Sequence, residues 1–260
     1  MSSETQNPLE GVQAFVFDVF GTVVNWRKGM YDQLEAKLGA VAPDQDWDVF
    51  AEQWRKGYYK KTASVASGGS GPLNVDQLHR EILDDMLATD RQWSHLAPHL
   101  DDIARHELVL FWHRLPGWPD TSAGLHGIKK HAIIGTLSNG SVRTLVDMAK
   151  FADLPWDVVL SSELLGSYKP NPKTYLGALH HLSLTSPPQL CMVAAHIYDL
   201  RAAASHGLRT VFVRRPREAD SPPDVRAKTE GGEVDMVVDS FEEIVKVLEA
   251  RAEERQVWQQ

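Results

Sequence analysis

Between residues 27 and 116 the chain shows no strand alternation of any length, yet strand-like runs stand on both sides of this stretch. FVFDVFGT (15–22) precedes it. HAIIGTLSN (131–139), WDVVLSS (156–162), QLCMVAAH (189–196), RTVFVRR (209–215) and VDMVVDS (234–240) follow it. Helix-length segments are expected in each gap between these runs, among them SVRTLVDMAK, PKTYLGALHHL and DLRAAASHG, the last stopped by Gly207. FEEIVKVLEARAEERQ reads as an amphipathic C-terminal helix begun by Asp239 and Ser240. Strands alternating with helices predict an α/β protein with a doubly wound parallel sheet, covered by helices on both faces.

The interrupting stretch has its own pattern. MYDQLEAKLG, WDVFAEQWRKGYYKK, VDQLHREILDDML and LDDIARHELVLFWHRL carry apolar residues at helical spacing. SVASGGSGPLN (64–74) separates two of them as a surface loop. Four helices in succession predict a helical insertion after the first strand. Its aromatics, Trp47, Trp54, Tyr58, Tyr59, Trp93, Trp112 and Trp118, are expected mainly to pack helices, with one or two lining a pocket.

Composition narrows the function. At 43% hydrophobic, 260 residues can bury a sizeable core. A net charge of −8, with the basic residues dispersed, argues against binding a phosphate backbone. The lone Cys191 sits in an apolar run and is expected as a buried structural thiol. MSSETQNPLE at the start is polar, and no apolar run reaches the ~20 residues that span a bilayer. A cytoplasmic protein with no membrane or nucleic-acid partner is the expectation.

Ligands of such sheets sit beyond the carboxyl ends of the strands. The first strand ends in Asp18 and Thr22, and the second in Ser138 and Asn139. SYKPNPKTY supplies Lys169 and Tyr175 after the third, and the fourth leads to His196 and Asp199. Singly, each has an ordinary alternative. Asp18 can be a capping acid, Thr22 a cap, and Ser138-Asn139 a turn. Lys169 can be a solvated loop lysine, Tyr175 a core aromatic, His196 a satisfied structural histidine and Asp199 an N-cap. Together at one sheet edge they have the makings of a covalent catalytic site. No metal-ligand spacing occurs among the histidines.

The order FDVFGT, LSNGS, YKPNPKTY, AAHIYDL resembles the haloacid dehalogenase superfamily, and within it the type II L-2-haloacid dehalogenases, from about Val12 to Arg215. The resemblance implies a Rossmann-like core domain of residues 1–26 and 117–260, with a helical cap domain of residues 27–116. It further implies hydrolysis of short (S)-2-haloacids to (R)-2-hydroxy acids. Asp18 would displace the halide and form an ester that water then opens, and no cofactor or metal would be required. Lys169 would keep Asp18 ionised. Ser138 and the backbone near Val19 and Phe20 would hold the substrate carboxylate. Asn139 and Arg55, in QWRKGYY, would receive the halide; Arg55 can equally be a helix-surface arginine. Thr22 and Tyr175 would order the network, Asp199 would position water or Lys169, and Tyr198 would wall the pocket. The oligomeric state stays open, a homodimer included.

Two departures matter. Most of the superfamily are magnesium-dependent phosphotransferases with a second acid two residues after the first; Phe20 stands there and cannot move a proton. The fourth motif of the dehalogenases has Ser and Asn where this chain has Ala194 and His196. His196 either activates water or donates to a neighbour. A magnesium-dependent phosphatase and a non-catalytic binding protein on the same fold remain the alternatives.

Overall fold

The computed structural model describes residues 7–218 and 221–258. The chain begins with β1 (Ala14–Phe17) and enters four helices, α1 (Trp26–Leu38), α2 (Trp47–Ala66), α3 (Val75–Thr89) and α4 (Asp102–Val109). It returns through α5 (Thr121–Lys129), β2 (Ile133–Ser138), α6 (Val142–Phe151), β3 (Val158–Ser161), α7 (Ser162–Leu165) and α8 (Pro172–His181). β4 (Leu190–Ala194), α9 (Ile197–Ser205), β5 (Arg209–Val213), β6 (Met236–Val238) and α10 (Phe241–Trp258) complete it. The strands form one parallel sheet in the order β3-β2-β1-β4-β5-β6.

β1 explains why the sheet winds both ways. All four of its residues are buried, so AFVF is apolar throughout and does not alternate with polar residues. Phe15 and Phe17 face one apolar core, and Ala14 and Val16 face the other. β1 pairs with β2 on one side (Ala14 opposite Ile133) and with β4 on the other (Ala14 opposite Leu190). The strand order therefore reverses beside β1, and a crevice opens beyond its carboxyl end.

The inserted helices form a cap with its own aromatic core. Asn25, Asp46, Asn74 and Asp101 cap α1 to α4 through side-chain oxygens that accept backbone N–H groups. Trp47, Trp54, Trp93 and Trp112 are fully buried, and the Phe50 and Trp93 rings meet edge to face at 4.9 Å. The His79 ring is stacked between Tyr58 and Trp112. Burial, and then Arg55, push its pKa down to about 3, so it is neutral.

Four boundaries depart from the sequence expectation. α2 runs on to Ala66, so the glycine-rich loop begins at Ser67, whose hydroxyl donates to the Ala63 carbonyl at 2.9 Å. The fourth cap helix stops at Val109 and tightens into a 3₁₀ turn over Leu110–His113. Among the described residues no α-helix joins β5 to β6, only a short 3₁₀ turn at Lys228–Glu230. α5 was not anticipated, because its glycines break the apolar periodicity. They serve packing: a Cβ on Gly124 would collide with Phe241 of α10.

No helix among the described residues is long and apolar enough to cross a membrane. Cys191 is buried in β4, and burial pushes its thiol pKa up.

Candidate active site

Asp18 is the first residue past β1. Its amide donates to Val193 of β4 at 3.0 Å, which extends the sheet pairing by one residue and fixes the side chain at the crevice. Oδ1 accepts from Lys169 Nζ at 2.9 Å. Oδ2 accepts from Thr22 Oγ1 at 2.8 Å and lies 3.0 Å from His196 Nδ1. Burial pushes the Asp18 pKa up, but Lys169 and His196 outweigh it and hold the carboxyl well below the usual range. Asp18 is an ionised carboxylate.

Its partners are themselves held. The Thr22 hydroxyl accepts from the Ala195 amide at 2.9 Å, so its own proton goes to Asp18. Lys169 Nζ also donates to Asp199 Oδ2, and Asp199 Oδ1 accepts from Tyr175 at 2.6 Å. Burial lowers the Lys169 pKa, but the two carboxylates outweigh it and keep the ammonium charged. Asp199 is fully buried in the first turn of α9; burial raises its pKa, as does Asp18, against Lys169. The Lys169 amide donates to Asn139 Oδ1 at 2.8 Å and the Ser162 hydroxyl donates there at 2.7 Å. This leaves the Asn139 amide nitrogen as the end that can meet a ligand.

Arg55 belongs to this site and not to a helix surface. It is 4% exposed, with its guanidinium 5.1 Å from the Phe20 ring and 4.5 Å from both Tyr58 and Tyr59. Nη2 donates to the Phe20 carbonyl at 3.4 Å, whereas Nε and Nη1 are buried with no hydrogen-bond partner among the described residues. A buried cation with spare N–H groups suits a small anion. Val19 and Phe20 form the turn after Asp18, closed by Val23 and Val24 amides on the Val19 carbonyl. Ser138 is buried at the end of β2 with its hydroxyl accepting from Gly140 at 3.2 Å; among the described residues, no hydrogen bond joins it to Asp18. The Tyr198 ring lies 5.9 Å from that of His196.

One residue at this edge escaped the sequence reading. Glu218, beyond the carboxyl end of β5, lies 3.3 Å from His196 Nε2, and its side chain is 2% exposed. Its segment RRPREAD has no periodicity, so only its place after a strand end marked it out. Gly21 makes room for it: a Cβ there would collide with the Glu218 carboxylate.

The superfamily's magnesium does not fit these residues. Mg²⁺ requires a near-octahedral oxygen set. Asp18 and Asp199 are instead bridged by the Lys169 ammonium, and Phe20, 1% exposed among aromatic rings, supplies no oxygen from its side chain.

A doubly wound sheet with an ionised carboxylate at its switch point, closed over by a helical cap, defines a class of α/β hydrolases. Residues 12–207 match the haloacid dehalogenase-like hydrolases, and the chain belongs to that family. It is 34% identical to the L-2-haloacid dehalogenase PA0810, with a TM-score of 0.79 over 92% of this chain and 99% of that one. It is 35% identical to the defluorinating L-2-haloacid dehalogenase Rha0230, with a TM-score of 0.82 over 92% of this chain and 95% of that one. Over 121 residues it is 30% identical to phosphatase MT3486 of Mycobacterium tuberculosis (strain CDC 1551 / Oshkosh), which covers 44% of this chain. The chain spans about half the length of that curated relative, 53%.

Proposed function

We propose that the protein hydrolyses short-chain (S)-2-haloacids to (R)-2-hydroxy acids through an aspartyl ester on Asp18, with no metal. The observation that carries this reading is the Lys169 ammonium bridging Asp18 and Asp199, where a phosphatase would need a divalent ion. Phe20 supports it, because a phosphate ester needs its leaving oxygen protonated whereas a halide leaves as an anion.

The charges set the order of events. Asp18, ionised and partly shielded from water, attacks the α-carbon and inverts it. Halide leaves with the bonding pair toward Arg55 and the Asn139 amide, where negative charge develops. Ser138 and the backbone at Val19 and Phe20 receive the substrate carboxylate, and Tyr198 walls the pocket. Lys169, Thr22 and the Tyr175–Asp199 pair keep Asp18 oriented for the next cycle. The similarity to L-2-haloacid dehalogenases over nearly the whole chain agrees with this scheme.

The shorter similarity to a phosphatase favours a second reading, Mg²⁺-dependent phosphate ester hydrolysis on Asp18. One experiment separates the two. Halide release is measured from the L and D forms of 2-bromo-, 2-chloro- and 2-fluoropropionate with EDTA present, beside aryl phosphate hydrolysis with Mg²⁺. Chelator-resistant halide release from the L form is expected; phosphate cleavage without halide release would move the protein to the second reading.

A further inference from the structure

We propose that Glu218 is a positioning residue that makes His196 the base for hydrolysis of the Asp18 ester. The inference rests on the dehalogenase reading and assigns its second half.

The geometry is a continuous chain from Asp18 Oδ2 to His196 Nδ1 at 3.0 Å and from His196 Nε2 to Glu218 Oε2 at 3.3 Å. Asp199 is the other candidate base, but it is fully buried with one oxygen bound by Lys169 and the other by Tyr175. His196 Nδ1 is within 3.0 Å of an Asp18 carboxyl oxygen, so a water donating to Nδ1 in the ester state would meet the Asp18 carboxyl carbon. Glu218 also borders a cleft between cap and core lined by Asn25, Arg27, Trp118 and Arg217.

In the free enzyme His196 faces two carboxylates, and with both ring nitrogens donating it is an imidazolium. Burial opposes that charge, but Tyr59 and then the bonds to Asp18 and Glu218 outweigh it and raise the pKa. Alkylation forms the bond from an Asp18 oxygen to the α-carbon, breaks the carbon–halogen bond and turns Asp18 into a neutral ester. One of the two anions holding the proton is then gone. The Nδ1 proton leaves to solvent, the one net proton of the reaction. Glu218 keeps the Nε2 proton and so fixes the tautomer with its lone pair on Nδ1.

Water then gives a proton to Nδ1 as its oxygen bonds to the Asp18 carboxyl carbon. The tetrahedral intermediate breaks its bond to the product oxygen, and the new hydroxyl passes its proton to that oxygen. The 2-hydroxy acid departs, with Asp18 again a carboxylate and His196 again an imidazolium.

The test is Glu218→Gln with L-2-chloropropionate, followed by rapid quench and intact mass. The variant is expected to release one halide per site at the wild-type burst rate, then turn over about 10²-fold more slowly while the ester accumulates on Asp18. The groups facing His196 are Asp18, Glu218, Tyr198 and Tyr59. Removing the Glu218 charge lowers the His196 pKa, so the acid limb of ester breakdown moves to lower pH, which a merely structural residue would not cause. Unchanged turnover, or a burst and turnover slowed together with no ester, overturns the proposal. If the variant melts early, His196→Gln must accumulate the same ester, and its failure to do so is equally decisive. Halide from the wild type with no ester in either variant removes this proposal alone; no halide from the wild type removes the dehalogenase reading and the proposal with it.

Discussion

Lys169 and Asp18 are 151 positions apart in the chain, and their charged groups lie 2.9 Å apart in a site from which the lysine side chain is almost fully excluded from water. The pair forms because the parallel strands β1 and β3, which precede Asp18 and Lys169, bring their carboxyl ends to one edge of the sheet. Removing one partner of a buried pair leaves the other uncompensated. Lys169→Met leaves Asp18 and Asp199 facing each other without the cation, so one of the two must take up a proton. The expected outcome is a loss of roughly 3–5 kcal/mol in urea denaturation, with halide release abolished. Wild-type stability together with wild-type halide release would show that the ammonium does not hold Asp18 ionised.

Arg55 makes the opposite prediction for stability. Two of its guanidinium nitrogens are buried with no hydrogen-bond partner among the described residues, which costs folding free energy and is useful only when an anion arrives. Arg55→Met keeps a long apolar stem against Tyr58 and Tyr59 and removes the unsatisfied donors. Its unfolding free energy is expected to rise by roughly 1–3 kcal/mol in urea titration, while halide release falls on the order of 10²-fold. A variant that is both less stable and equally active would show that Arg55 is there for packing.

Much of this was legible in the sequence because it depends on strand ends. FVFDVFGT, LSNGS and AAHIYDL each place polar residues where an apolar run stops, and a parallel sheet gathers such stops at one edge. The helical cap was legible as apolar periodicity uninterrupted by strands. The burial of Arg55 was not, because helical spacing alone leaves an arginine among lysines open between surface and site, and only the family resemblance put it in the site; the helix packs it on Phe20. Glu218 and Arg215 act through a loop and through pairing with distant residues, and neither leaves a periodic trace. α5 was hidden for a third reason: its close approach to α10 requires glycines, which weaken the signal of a helix.

Arg215 ties the first turn to the sheet. Its Nη1 and Nη2 donate to the two Asp120 oxygens at 2.7 and 3.0 Å, and its Nε donates to the Thr22 carbonyl at 2.9 Å. Asp120 also accepts from the first amide of α10, Phe241, at 2.8 Å. One bidentate pair therefore joins the Asp18 turn, the start of α5 and the start of α10. Arg215→Ala is expected to lower stability by roughly 3–5 kcal/mol, and Arg215→Lys to recover only part of it, since an ammonium cannot make the fork. Equal stability of the lysine variant and the wild type in urea titration would show that bidentate geometry contributes nothing.

His113 joins cap and core by charge. Its Nδ1 lies 2.9 Å from Asp147 of α6 and its Nε2 lies 3.0 Å from Asp76 of α3, so both nitrogens donate and the ring is cationic. Burial opposes the charge, but the two aspartates outweigh it and the pKa is raised above 6.5. A raised folded-state pKa contributes stability that is complete below the unfolded value, about 6.5, and is lost as pH climbs through the folded one. The lowered pKa values of Asp76 and Asp147 act on the other side, their contribution being present above about 3.9 and lost as pH falls through the folded values. Between these limits the bridge contributes roughly 1.5–3 kcal/mol, as expected for hydrogen bonds between charged groups. Urea midpoints of the wild type and His113→Gln should therefore differ most near pH ~5.5 and converge toward pH ~9. A constant gap across that range would mean that His113 bridges the two helices as a neutral ring.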